Sequence, residues 1–369
     1  MRGLRSGAVR ASERLMMIRT HGGDWAAFER EYGVAPLDFS ANVSPLGVPA
    51  GVRAAIASAA AEIERYPDPL CRSLREAIAE REGVAAEQVL CGNGASDLIY
   101  RAIFAAKPRR ALVTAPAFGE YEAALKAAGS EIVRCPLGDT FRLDASFLEA
   151  INDGIDFVIL CQPNNPSGVT VEPELLRRIA LRCAERDTAG RTCRVMVDEC
   201  FVDFLNAPER FTCKPILREF PNLLLLNAFT KLYAMAGVRL GYALCTDAAF
   251  LADMYRGAPA WPVSHLAQAA GLAALRETDY VARVRALIRV ERPWLFEQLA
   301  ALGLRVVPGE ANFLLFRCAT PLDAPLRKRG ILVRGCDDFV GLDETWYRIA
   351  VRTHEENQRL IAALTEVLA

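Results

Sequence analysis

From about residue 110 to residue 245, short apolar runs alternate with stretches of helical period. The runs lie at 111–115, 157–161, 195–197, 223–226 and 240–244, and helical patterns such as 121–128 and 174–184 separate several of them. Runs this short and this uniformly apolar suit strands buried on both faces, and the helices between them suit crossover connections. The pattern predicts an α/β fold with a mostly parallel central sheet flanked by helices.

The last third has a different rhythm. A long helical pattern covers 280–301, apolar runs follow at 304–307, 313–317, 331–334 and 347–352, and a final helical pattern fills 354–368. Strands and helices in that order suggest a small α+β domain. Gly257, Pro259 and Pro262 mark the junction, because glycine and proline punctuate regular structure. The predicted division is a large domain over 49–258 and a small domain over 259–369, preceded by a segment over 21–48 and a flexible extension over 1–20. That extension is arginine-rich and lacks the apolar stretch of a secretory signal.

Composition narrows the class. The 369 residues are enough for two packed units, and 52% hydrophobic with 24% charged residues fits a globular enzyme rather than a disordered chain. A net charge of -1 gives no sign of a nucleic-acid partner, which would favour a basic patch. No apolar run reaches the roughly 18 residues of a membrane helix. Eleven cysteines without a C-x-x-C pair, and no secretory signal, point to reduced thiols and a cytoplasmic protein. The three histidines lie far apart in sequence, which argues against a histidine-based zinc site.

In an open α/β sheet, ligands collect at the carboxyl ends of the strands. The segments after the apolar runs carry the candidate chemistry: Pro116 to Phe118, Gln162 to Gly168, Asp198, and Thr230-Lys231. Lys231 stands beside a hydroxyl and near glycines, with Arg239 eight residues on. A lysine amine condenses with a carbonyl to a Schiff base, and an arginine fork grips phosphate. The alternative is a solvated loop lysine. Lys126 and Lys328 lie in amphipathic or basic surroundings, and Lys107 and Lys214 each precede proline, which leaves Lys231 as the reactive candidate among five.

Gly92-Asn93-Gly94-Ala95-Ser96-Asp97 opens an apolar helical pattern. Such a loop frees backbone N–H groups for a phosphate, or is a tight turn with Ser96 as the helix cap. Gln162-Pro163-Asn164-Asn165-Pro166-Ser167-Gly168 is a rigid turn; its asparagine is placed to donate to a phenolic oxygen, unless the segment is a plain loop. Asp198 ends an apolar run, where a carboxylate keeps a pyridine nitrogen protonated. The alternatives for Asp198 are a helix cap or, with Glu199, a magnesium site; no P-loop sequence supports the second. Arg334 and Arg348 sit in candidate strands of the small unit, and alternation puts Arg348 and Arg352 on one face. Inward arginines bind an anionic substrate; the alternative is surface ion pairs.

Together these motifs resemble the fold-type I pyridoxal-phosphate enzymes, over nearly the whole chain from His21 onward. Within them the chain is similar to the histidinol-phosphate aminotransferases and to the threonine-phosphate decarboxylases of cobalamin synthesis. The resemblance implies that Lys231 is the Schiff-base lysine, Asp198 the partner of the pyridine nitrogen, and Asn165 the contact of the cofactor's phenolic oxygen. It implies that Phe118 stacks on the cofactor ring and that Ala95, Ser96, Thr230 and Arg239 form its phosphate cup. Tyr66 matches a tyrosine that reaches the partner subunit's cofactor phosphate in a homodimer with shared sites. Arg334 and Arg348 match arginines that bind the substrate's anionic groups, and the N-terminal segment, with His21 and Gly22, lies over the substrate.

Two positions depart from the aminotransferase pattern: Ala228 stands where Ser or Thr is common, and Phe201 where many aminotransferases have Tyr. The decarboxylases resemble this chain in His21-Gly22-Gly23, Asp38-Phe39-Ser40-Ala41-Asn42, Asp198-Glu199-x-Phe201-x-Asp203-Phe204 and Phe229-Thr230-Lys231-x-Tyr233-Ala234. The expected reaction is decarboxylation of a phosphorylated amino acid, O-phospho-L-threonine or O-phospho-L-serine. The second reading is amino transfer to 2-oxoglutarate from a histidinol-phosphate-type donor. A third, a cofactor-binding transcription regulator, would need a DNA-binding domain, for which the segment before His21 is too short.

Overall fold

The computed structural model describes residues 22–186 and 192–369. The N-terminal segment holds α1 (Trp25–Tyr32) and β1 (Leu37–Asp38). The central region runs α2 (Ala50–Ala59), α3 (Arg72–Glu82), β2 (Val89–Gly92), α4 (Ala95–Ala106), β3 (Arg110–Ala115), α5 (Gly119–Ala127), β4 (Glu131–Pro136), β5 (Phe157–Cys161), α6 (Pro173–Ala184), β6 (Arg194–Asp198), β7 (Leu223–Ala228), α7 (Phe229–Leu232), β8 (Gly241–Leu244) and α8 (Ala248–Arg256). The tail adds α9 (His265–Ala274), α10 (Thr278–Ala301), β9 (Arg305–Val306), β10 (Phe313–Arg317), β11 (Ile331–Leu332), β12 (Arg334–Gly335), β13 (Trp346–Ala350) and α11 (His354–Leu368).

Seven strands form the central sheet in the order β2-β8-β7-β6-β5-β3-β4. Strands β4, β3, β5, β6 and β7 pair in parallel, and β8 runs antiparallel between β7 and β2. Alternate side chains of each strand enter opposite cores. Leu112, Val158, Leu160, Val197 and Leu225 pack with Leu74 of α3 and Ile179 of α6. Val113, Phe157, Ile159, Met196 and Leu226 pack with Leu98 of α4, Tyr121 of α5 and Phe250 of α8. Burial on both faces explains why these strands read as unbroken apolar runs. The small unit's sheet is antiparallel, β12-β13-β10-β9, and β1 pairs in parallel with β11, which ties the N-terminal segment to the tail.

Several local expectations change. Strand β4 carries its charged and half-exposed residues at the sheet edge, so it shows no apolar run. The expected strand at 331–334 is two strands with different partners: Ile331 and Leu332 join β1, and Arg334 and Gly335 join β13. The expected strand at 347–352 ends at Ala350. Arg352 leaves the sheet, bonds Glu356 at 2.7 Å and the Asp38 carbonyl at 3.1 Å, and does not share a cavity with Arg348. Helix α4 starts at Ala95 after Gly94, with no side-chain cap, so Ser96 is inside the first turn rather than the cap. All eleven cysteines are free. No helix among the described residues is long and apolar enough to cross a membrane.

Candidate active site

The carboxyl ends of β3, β5, β6 and β7 open onto one cavity of about 870 Å³. It is also lined by the start of α4, by Gly22 to Val43 of the N-terminal segment, and by Arg334, Asp338 and Arg348 of the small unit. Ala95, Ser96, Phe118, Asn165, Asp198, Phe201, Thr230, Lys231 and Arg239 all face it.

Asp198 ends β6 and is 5% exposed. Its Oδ2 accepts the Tyr121 hydroxyl at 2.7 Å and its Oδ1 accepts the Cys200 N–H at 3.0 Å. Burial and the Asp198 charge hold the Tyr121 phenol well above its usual range, so the hydroxyl stays a donor. Phe118, at the mouth of β3, meets the Tyr121 ring edge-on at 5.6 Å. Tyr121 was not among the expected site residues. Its place one turn after Phe118 on an amphipathic helix is a core signal, and nothing in the sequence marks the hydroxyl.

Lys231 sits in the single turn of α7 that follows β7. Its carbonyl accepts the Ser44 N–H at 2.9 Å, which fixes the turn against the N-terminal segment. Its amine lies 5.9 Å from the centre of the Phe201 ring, and Phe201 packs edge-on against Phe313 at 5.0 Å. Burial lowers the amine to about 8, and the charges of Arg348 and Arg239 add to that shift.

Strand β8 brings the arginine side of the site into place. Gly241 pairs with both Gly92 and Ala228, and a Cβ there would lie 2.8 Å from the Ala95 nitrogen. Only glycine lets the start of α4 close on the end of β7. Gly94 has φ +82, and a Cβ there would come 2.7 Å from Arg239 Nη2. Arg239, itself at φ 61, steadies its fork on the Ala236 carbonyl at 3.2 Å. The uncapped N–H groups of α4, the hydroxyls of Ser96 and Thr230, and Arg239 therefore converge on one side of the cavity.

The small unit contributes Arg334 and Arg348 to the cavity, direct register partners on β12 and β13 and each 7% exposed. Arg348 donates to Asn165 Oδ1 and, at 3.2 Å, to the Ser40 carbonyl. Burial lowers it to about 10. Arg334 donates to both oxygens of Asp338, at 2.7 and 2.6 Å. Ser40 Oγ also takes the Gly23 N–H at 2.7 Å. A Cβ on Gly22 would run into the Ser40 carbonyl, so the segment needs glycine there. Ser40 and Asp338 are further site residues that the motif reading did not single out for a role.

Two further residues complete the expected set. His21 lies outside the described residues. Tyr66 is 78% exposed, stacks on Trp261 at 4.4 Å, and does not line the cavity.

A family model described as aminotransferase class I and II matches residues 35–364. The threonine-phosphate decarboxylase of Salmonella typhimurium is 38% identical, over 94% of this chain and 96% of that protein. The histidinol-phosphate aminotransferase of Symbiobacterium thermophilum is 37% identical, over 98% and 99% of the two chains. Among solved structures, histidinol-phosphate aminotransferase from Sinorhizobium meliloti in complex with pyridoxal-5'-phosphate superposes with a TM-score of 0.85 at 25% identity, covering 96% of both chains.

Proposed function

The chain belongs to the aminotransferase class I and II family, whose members depend on pyridoxal phosphate, and from that premise we propose that it is a decarboxylase of O-phospho-L-threonine or O-phospho-L-serine. The product would be an amino alcohol phosphate, the linker of the cobalamin nucleotide loop. In this reading 49–258 is the cofactor domain, 259–369 the small domain and 21–48 the cover of the site. The enzyme works in the cytoplasm as a homodimer, with Tyr66 reaching the partner's site.

The residues present fit the cofactor. Gly94 and Gly241 let the start of α4 close on Arg239 and on the end of β7, and the uncapped helix start, two hydroxyls and Arg239 line the cavity, a donor set suited to a phosphate. Ala228 adds no hydroxyl to that set. Asp198 would hold a pyridinium N–H, Phe118 would flank the ring, and Lys231 would hold the aldehyde carbon. The Asn165 oxygen is taken by Arg348, so its NH2 is left to donate to a phenolic oxygen. When bound, the cofactor supplies an electron sink for the bond that breaks at Cα.

The chain's own residues set which bond that is. Arg334 and Arg348 orient the substrate's phosphate and carboxylate, and orientation decides which bond at Cα is activated. The Cα–carboxylate bond breaks, carbon dioxide leaves, and Cα gains a proton. Lys231, with its amine at about 8 and facing the cavity, is the group that would carry that proton. Phe201 lines the cavity below the amine without a hydroxyl. The observation that carries the reading is the pairing of two buried arginines on one wall, facing Lys231. One substrate with two anionic groups answers that wall. Histidinol phosphate has a single anionic group; 2-oxoglutarate, the acceptor of the second reading, has two, so the assay of both reactions decides between them.

Purified enzyme should release carbon dioxide from O-phospho-L-threonine without an added oxo acid. It should not form glutamate from histidinol phosphate and 2-oxoglutarate. Glutamate formation without carbon dioxide would refute the decarboxylase reading and establish amino transfer instead.

A further inference from the structure

The two arginines of the substrate wall have their charges met in different ways. Arg348 bonds only neutral oxygens, those of Asn165 and Ser40, and its Nε is buried without a partner. Arg334 grips a carboxylate with both Asp338 oxygens. Asp338 is not enclosed as a structural counterion would be. Its side chain is 40% exposed, against 9% for Arg334, and it lines the same cavity. The next residue, Phe339, is buried and lies 5.5 Å from the guanidinium, so the loop is anchored one position away from the carboxylate. If Asp338 turns out to solvent, Arg334 keeps its Nη1 bond to the Gly335 carbonyl at 2.7 Å and stays aimed.

We propose that Asp338 is an internal anion that occupies Arg334 in the substrate-free enzyme and is displaced by the substrate's own anionic group, a phosphate monoester on the reading above. The inference rests on that reading for its assignment of Arg334 to substrate. Every ligand anion then competes with Asp338, and its apparent affinity is reduced by the fraction of enzyme in which Arg334 is open. An ordinary amino acid, without a second strong anion, gains too little at Arg334 to open it. A phosphate ester brings two charges and three acceptor oxygens. Asp338 in this way keeps Arg334 closed to weakly anionic amino acids and weakens every ligand that opens it by one common factor.

The test is calorimetric titration of the holoenzyme, at a pH above the phosphonate's second ionisation, with methylphosphonate and methanesulfonate, which share a shape and there differ in charge. Displacement predicts that Asp338→Asn and Asp338→Ala tighten both ligands by one common factor, up to about fivefold for a partly exposed ion pair. The gain should vanish when Arg334→Gln is added. Circular dichroism and cofactor absorbance identify any variant that fails to fold, and two variants guard against one failing. Tightening that is greater for the doubly charged ligand means Asp338 stays beside Arg334 during binding, and overturns the proposal. So does weaker or unchanged binding in both variants, which would make Asp338 a brace. No turnover is involved, so absence of carbon dioxide from O-phospho-L-threonine would refute the reaction and not this inference.

Discussion

Replacing Lys231 by methionine in the cofactor-free protein should stabilise it near neutral pH. The lysine amine titrates at about 8 in the folded chain against 10.5 for an ordinary lysine, because burial and the Arg348 charge disfavour its ammonium form. Above 10.5 the amine is neutral in both the folded and unfolded states and contributes no penalty. As pH falls from about 10.5 to about 8, the unfolded chain binds the proton and the folded chain does not, so stability falls through that window and then levels off. The full shift corresponds to about 3 kcal/mol. The side chain is partly open to the cavity, and water there reduces the figure to about 2 kcal/mol. The assay is urea unfolding of cofactor-free wild type and Lys231→Met across pH 7 to 10.5. The difference between the two proteins cancels the other titrating groups. The variant should gain about 2 kcal/mol over wild type at pH 7 relative to pH 10.5. A difference that does not change with pH would refute the reasoning, because Lys231 would then titrate alike in both states.

Three more outcomes follow from the geometry. Tyr121→Phe removes one of the two bonds to the Asp198 carboxylate; a bond to a charged group contributes about 1.5–3 kcal/mol, so kcat should fall by about tenfold or more with KM little changed in steady-state assays. Gly94→Ala places a Cβ against Arg239 at φ +82, and fluorescence titration of the cofactor-free protein with pyridoxal phosphate should show affinity weakened by about tenfold or more. Arg348→Gln removes the leading charge that depresses Lys231, so the pH midpoint of Lys231 modification in cofactor-free protein should move upward, and KM for the phosphorylated substrate should rise about a hundredfold. A midpoint that stays at about 8 would mean burial alone sets the lysine.

Strands β3, β5, β6, β7 and β8 were legible because both faces are buried: they leave little room for polar residues, so apolar runs marked their positions. Edge strand β4, half exposed and charged, left no such mark. The cavity floor was legible for the related reason that polar residues directly after buried runs stand out, as with Asp198 and Lys231. The wall from the small unit was less so. Arg348 and Arg352 alternate in sequence, but the sheet ends at Ala350 and the pair that shares the cavity is Arg334 with Arg348, joined by strand register rather than spacing. The contacts that tune the site, Tyr121 on Asp198, Ser40 on Arg348 and Asp338 on Arg334, cross 77, 308 and 4 residues. The first two depend on tertiary packing that no local pattern encodes. The last reads in sequence as an ordinary surface ion pair.

The charge of the cavity links the proposed reaction to its proposed gate. Arg239 and Arg348 make their bonds to neutral oxygens, and Lys231 faces the Phe201 ring. Asp198 is held by Tyr121 and a backbone N–H, and Asp338 by Arg334. The site is thus a receptor short of anions. A phosphate beside Arg239 and an anionic substrate beside Arg348 would each remove part of the repulsion that depresses Lys231. By linkage, anything at Arg348 that raises the lysine's proton affinity binds more tightly when the lysine is protonated. On the proposed reading, the substrate that fills the arginine wall also readies Lys231 to carry the proton that Cα receives. An amino acid too weakly anionic to displace Asp338 would lack both the orientation and that proton affinity, so selection and catalysis would rest on the same two arginines.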